Sequence, residues 1–271
     1  MEQIHYGRKD INVPQSWQEM SAKQLLALAR LSAAGVSAQC IKLLFAFHVI
    51  GACVLRRKSD GTYILLRGFR RFVLSASDCT LLAEKFAWLF SEEKDSEGRT
   101  VMTLVPQFVN CPWNRIGRLN GPGDFFDRLT YYQYMFLLHY ESTISDRPED
   151  SDRLLACLWH SGEVFDSNTI EHDRRRIARM SSERRIVMLW YYIACKNALH
   201  KRYPRIFAAA GEGGTGNVFE DQMRVVDALA GGDMTKKDLV RSGYLYDALV
   251  SMDESVRRSE EMEAEASMKK K

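Results

Sequence analysis

Arg174, Arg175, Arg176, Arg179, Arg184 and Arg185 fall within twelve residues, and Lys196, Lys201, Arg202 and Arg205 follow. Cationic side chains this dense can hold phosphates if they share one face. From Glu171 to Arg205 there are ten Lys/Arg and three Asp/Glu. Trp190, Tyr191 and Tyr192 stand between the two groups, an interleaving that base stacking would use. These rings, however, lie inside IVMLWYYIAC, residues 186–195, which holds no charge. At 3.6 residues per turn such a run covers a helix all round and marks a buried helix with charged ends in water. The acidic segment 144–173, with DRPEDSD, GEVFD and EHD, offers counter-charges. The arginines therefore read first as solvated or internally paired surface. A nucleic-acid surface on them is the alternative.

Other candidate chemistry is sparse. GEGGTG, residues 211–216, lacks the GK[ST] end of a phosphate loop, and the segment before it reads as helix, not strand. It reads as an inter-helix break. The histidines stand at 5, 48, 139, 160, 172 and 200, without an HExxH or HxxxH pair. His160 with Glu163 and Asp166, or His172 with Asp173, could join in a metal site, but surface histidines beside incidental acids are the commoner arrangement. No GxSxG elbow and no catalytic cysteine signature occurs. The carboxylate pairs Glu149–Asp150 and Glu260–Glu261 lie in polar stretches, where burial is not expected to raise a pKa. No catalytic residue, cofactor or metal is expected.

The composition is that of a globular protein: 271 residues, 46% hydrophobic, 27% charged, net charge +3. That net charge is too small to imply a polyanion partner by itself. Six cysteines at 40, 53, 79, 111, 157 and 195 form no CxxC and mostly sit in apolar runs, as reduced core residues would. This points to a reducing compartment. The opening MEQIHYGRKD has no apolar region of the signal-peptide kind, and no apolar run approaches the ~20 residues of a membrane span.

The elements that would position these residues are mainly helical. Residues 2–13 read as a short extended arm. Ser21 with Gln24 forms a capping box for a helix ending near Gly35, and 37–49 form a second helix ended by Gly51. CVLRRKSDGTYILLRG has two apolar runs around SDG, a hairpin signal, and RRFVLS could add a third strand. A helix over 77–91, a solvated loop at EEKDSEGR and a strand at VMTLVPQFV follow. Further helices are expected over 125–143, 150–161, 172–180, 183–203 and 218–230. The fold class is thus mainly α, a multi-helix bundle with a small β-hairpin or sheet insert in the N-terminal half. The expected organisation is 1–110, a helical hairpin plus the β insert; 111–124, linker-like; 125–210, helical core; 211–217, a Gly-rich break; 218–253, a C-terminal helical unit; and 254–271, a charged tail, disordered or a fraying helix.

The C-terminal unit has Val225, Val226, Leu229, Leu239, Leu245 and Leu249 at amphipathic positions. They either complete the core, the simpler outcome, or form a face that grips a partner helix.

Several stretches carry a family resemblance: INVPQSWQEMSAKQLLALARL at 11–31, NGPGDFFDRLTYYQYMFLLHYES at 120–142, LLACLWHSGEVFDSNTIEHDRRR at 154–176, NALHKRYPRIF at 197–207, DQMRVVDALAGGD at 221–233 and YLYDALVSMDE at 244–254. Together they resemble a family of tail-region proteins from Bacteroidetes phages and prophages. The resemblance implies a non-enzymatic protein of tail assembly, as chaperone or structural adaptor. It implies other tail proteins as partners, a tape-measure protein among them, or a second copy of the chain. It places the protein in the cytoplasm of a bacterial host or in the virion. The alternative function is a nucleic-acid-binding accessory protein using the basic 174–205 segment. An enzyme of unrecognised type is a third reading.

Overall fold

Helix α1, Ala22–Ala33, begins at the capping box: Gln24 N–H donates to Ser21 Oγ, and Ser21 N–H donates to the Gln24 side chain at 2.8 Å. Helix α2, Ala38–Val49, packs on it and is capped by Ser37. The computed structural model describes residues 2–6, 9–94, 97–208 and 217–269. They are mainly helical, with small antiparallel sheets. The chain separates into two units, residues 1–108 with 181–190, and residues 109–180 with 191–271.

In the first unit, the N-terminal arm is a hairpin of β1, Glu2–Tyr6, and β2, Lys9–Val13. The SDG signal yields a three-stranded sheet in the order β3, Cys53–Arg57, β4, Tyr63–Arg67, and β5, Arg70–Leu74. Its inner face carries Tyr63, Leu65 and Phe72, which pack with Phe47 and Cys79. Phe47 lies on α2 and Cys79 on α3, Ala76–Glu84. The helix expected over 77–91 therefore stops early. Phe90–Lys94 instead forms β6, paired with β7, Thr100–Leu104, and takes up part of the expected loop. Cross-strand pairing has overridden local helix propensity. Phe86 and Leu89, between α3 and β6, are fully buried. Trp17 is held among Trp88, Phe108 and Trp190, with ring centroids 5.9, 6.0 and 6.1 Å away.

The second unit contains a correction. The stretch 111–124 is no linker: it supplies β8, Arg115–Ile116, and β9, Leu119–Asn120, to a sheet completed by β10, His160–Ser161. Its glycines serve packing. A Cβ on Gly121 would meet Trp113 O at 2.7 Å and Trp159 Nε1 at 2.9 Å, and Gly123 (φ +73°) would drive one into Asp127. Phe125 and Phe126 take φ of 50° and 64°, which costs ~1–3 kcal/mol each for non-glycine residues. The surroundings impose this shape. The Tyr191 hydroxyl donates to Gly123 O at 2.5 Å and accepts from Phe126 N–H, while the Tyr246 hydroxyl donates to Phe125 O at 2.7 Å. The expected helix over 125–143 consequently starts only at α4, Tyr131–Thr143, behind a second capping box, Thr130 with Gln133.

Helices α5, Asp150–Leu158, and α6, Ile170–Ile177, follow. Helix α7, Ser182–Arg202, gives its first half to one unit and its second to the other. Val187, Met188, Tyr191, Tyr192, Ala194 and Cys195 are buried, but Trp190 is only half-buried and Ile193 is exposed. The uncharged run is thus core on most of its circumference, not all, because its neighbours leave one strip of the helix uncovered. Pro204 ends α7 and opens α8, Pro204–Ala208. Helices α9, Val218–Leu229, α10, Lys237–Ser242, and α11, Leu245–Lys269, complete the chain. The charged tail from 254 is helical as far as Lys269, with Arg257 and Arg258 both paired to Glu254 one turn away.

Candidate functional site

The six candidate arginines do not form one surface patch within one unit. Arg174, Arg175, Arg176 and Arg179 belong to the second unit, Arg184 and Arg185 to the first. Arg174 Nε lies 2.9 Å from Glu171 and Arg176 Nη1 lies 3.4 Å from Asp173. Arg184 and Arg185 are half-buried, and each interacts with a neighbouring residue. Arg175 and Arg179 are exposed.

Glu171 and Asp173 meet Arg174 and Arg176, while the nearby Asp150 meets Arg147 and Arg153, which lie outside the cluster. Asp150 is fully buried at the start of α5, contrary to the solvated position expected for the Glu149–Asp150 pair. It accepts from Thr143 Oγ1 and from Arg153 Nη1, both at 2.5 Å. Arg153 also reaches Glu171 on α6 at 2.5 Å. Burial disfavours the charged form of Asp150, but the bonds from Thr143 and Arg153 outweigh it and hold its carboxyl below the usual range. The Arg153 bond lowers Glu171 likewise. Asp173, also fully buried, accepts from Ser161 N–H at 2.7 Å and Ser161 Oγ at 2.8 Å, fixing β10.

The residues considered for a metal site are not brought together. His160 is buried, and burial lowers its pKa. Asp173 is committed to Ser161, and Asp166 caps the turn at Ser167–Thr169. Among the described residues no group of three or more His, Cys, Asp or Glu is placed to hold a metal ion. All six cysteines are free thiols. Burial pushes Cys111 up to about 12 and raises Cys157 and Cys195 as well, the reverse of an activated thiolate. GEGGTG, 211–216, lies outside the described residues.

The C-terminal positions divide. Val226, Leu245 and Leu249 are buried and serve the core. The unit is firmly tied to the body of the second unit: Leu245 N–H donates to Leu129 O at 2.8 Å, Tyr131 N–H to Gly243 O at 2.9 Å, and the Tyr131 hydroxyl to Gln222 at 2.7 Å. The other three positions, Val225, Leu229 and Leu239, line two surface depressions of about 320 and 410 Å³. Both depressions are lined by Leu229 and Ser251, so they adjoin along the C-terminal helices. Leu239 is 72% exposed and Tyr244 58% exposed at its edge, and Val250 on the same helix as Ser251 is 56% exposed. This apolar exposure had a sequence signal, the amphipathic spacing. Which leucines turn inward had none.

No protein-family model, curated protein or solved structure matches the chain. The fold and site define a mainly α-helical protein with small antiparallel sheets and an apolar groove on its C-terminal helices. Among the described residues no helix is long and apolar enough to cross a membrane.

Proposed function

We propose that this protein is a non-enzymatic adaptor whose C-terminal groove receives the apolar face of a partner helix. The observation that carries the reading is the pair of adjoining apolar depressions that share Leu229, with Leu239 and Tyr244 exposed at one of them. Exposed leucine and tyrosine in a concave site are a usual means of gripping an amphipathic helix. In this reading the helices of the second unit act as a bundle that holds the groove rigid, so the partner helix does the adjusting. The sequence resemblance supplies the context: assembly of a phage tail, with the long helical tape-measure protein as the partner.

The test is co-expression of the full chain with segments of the tape-measure protein encoded beside it. Leu239→Glu is expected to cut co-purification at least tenfold while circular dichroism stays unchanged, because Leu239 contributes little to the core. Capture by the variant equal to that by the original chain would overturn the reading.

A further inference from the structure

The hairpin of β4 and β5 closes through LRGFRRFV, residues 66–73, which hold three arginines and no acid. Arg67 and Arg70 pair across the strands, which leaves Gly68 and Phe69 as a two-residue turn. Gly68 has φ +57°, as such turns require of their first residue. The second position ordinarily takes a small or polar residue. Here it is Phe69, exposed at 105%, so its ring stands wholly in water at the apex of the hairpin. Arg70 and Arg71 beside it are exposed and have no ion pair among the described residues.

The cations of the sheet gather at its ends, not on a face. The register puts Arg57, Arg67 and Arg70 on the side of the buried Tyr63 and Leu65, and Arg56 and Arg71 on the other side. Arg67 and Arg70 adjoin the turn, and Arg71 lies one residue further back, ~3 Å along the strand. Cations therefore flank Phe69 from both sides of the hairpin plane. A ligand lying along the outer face would meet only Arg56 and Arg71, which stand on opposite edge strands. A flat surface met end-on by the turn touches both sides at once.

We infer that the Phe69 turn docks on an anionic lipid surface, with the ring at headgroup depth and Arg70 and Arg71 on lipid phosphates. Aromatic rings settle at the membrane–water interface. Arginines beside an anionic leaflet add to the attraction, and their planar forks match phosphate oxygens. A convex turn with a solvated ring at its tip meets such a surface without any shaped pocket. A protein partner would need a pocket for the ring and acids on both sides of it. A nucleic-acid strand needs its cations in line along one face, and this sheet does not align them. The far group, Arg57 and Lys58, begins four strand residues behind Arg67, about 13 Å away. That lies beyond the ~8–10 Å screening distance, so the contact is peripheral and confined to the turn. It is independent of the C-terminal depressions.

The test is co-sedimentation of the full chain with vesicles of phosphatidylcholine containing about one-third phosphatidylglycerol, beside pure phosphatidylcholine vesicles and labelled single-stranded and duplex oligonucleotides. Binding is expected to the anionic vesicles at about 50 mM salt, to weaken as salt rises and to be absent with phosphatidylcholine alone. Phe69→Ser should weaken it about tenfold, as loss of one inserted ring requires. Phe69→Trp should retain it, with quenching by brominated lipid beyond that of the original chain. Arg70→Ser with Arg71→Ser should weaken it about twentyfold. Arg56→Ser with Lys58→Ser, at the far end, should change it less than about twofold. Leu239→Glu should bind the vesicles as the original chain does. The substituted positions are exposed, and unchanged circular dichroism confirms folding. No binding to anionic vesicles at low salt, equal losses from the near and far cation changes, indifference to Phe69→Ser, no added quenching in Phe69→Trp, or tighter binding to either oligonucleotide would each overturn the inference.

Discussion

The chain has two arginine-rich regions, and they differ in how carboxylates meet them. Around α6, arginines sit one turn from carboxylates on the same helix, and Asp150 and Asp173 are buried where their charge must be met. On the β3–β5 sheet, Arg56, Arg70 and Arg71 meet no carboxylate among the described residues. In the denser cluster Arg174 and Arg176 are met by carboxylates, while Arg175 and Arg179 stay exposed. Charge that is counted along a chain becomes available to a ligand only where the fold leaves it uncompensated.

The largest expected effect that would break this contrast is at Asp150. Asp150→Ala removes the buried acceptor of Thr143 and Arg153 and should destabilise the protein by about 3 kcal/mol, since it leaves a part-buried guanidinium short of its partner. Urea denaturation measures it. A loss below about 1 kcal/mol would mean that the α5–α6 charges are no more committed than those of the sheet.

Acid sharpens the same point. The folded pKa values of Asp150 and Glu171 lie below their ordinary values. Their contribution is therefore complete above the unfolded carboxylate range of about 4, and is lost as pH falls through the lowered folded values. Stability should drop below about pH 4, and the difference between the original chain and Asp150→Ala should shrink there. Equal sensitivity of both proteins between pH 7 and 3 would contradict it.

Trp190 gives a middle-sized effect. A fully buried tryptophan would cost about 3–5 kcal/mol on truncation. Trp190 is half-buried, with the Trp17 ring 6.1 Å away, so Trp190→Ala should cost about 2 kcal/mol by chemical denaturation. A cost above 4 kcal/mol would mean that α7 is core all round. The smallest effect belongs to the sheet: Phe69→Ser should change stability by less than about 0.5 kcal/mol, because the ring is already in water. Measurable destabilisation would show that Phe69 belongs to the core rather than to a surface kept open for a ligand.

Local chemistry made much of the fold legible. The Ser21–Gln24 box, the SDG turn and Pro204 each act within a few residues, so the start of α1, the β3–β4 hairpin and the end of α7 could be read directly. Segment 111–124 could not, because its glycines answer to Trp159 and Asp127, and the two positive-φ phenylalanines that follow it, Phe125 and Phe126, answer to Tyr246 and Tyr191. Proline and glycine in a row look like a linker until distant residues pack on them. The strand at Phe90–Lys94 was hidden for the same reason: its partner begins at Thr100, and apolar FAWLF suits helix or strand equally well.

The candidate surfaces divide the same way. Amphipathic spacing marked Val225, Val226, Leu229, Leu239, Leu245 and Leu249 as apolar positions. Only tertiary packing sent Val226, Leu245 and Leu249 into the core and left Leu229 and Leu239 on a groove. Periodicity and caps by themselves determined a mainly helical chain, because they act over a few residues. Which arginines are neutralised, which leucines are covered and which phenylalanine stands bare were decided by contacts between residues far apart in sequence, such as Arg153 with Glu171 and Lys196 with Glu141. Those pairings depend on how helices meet, which no local pattern encodes.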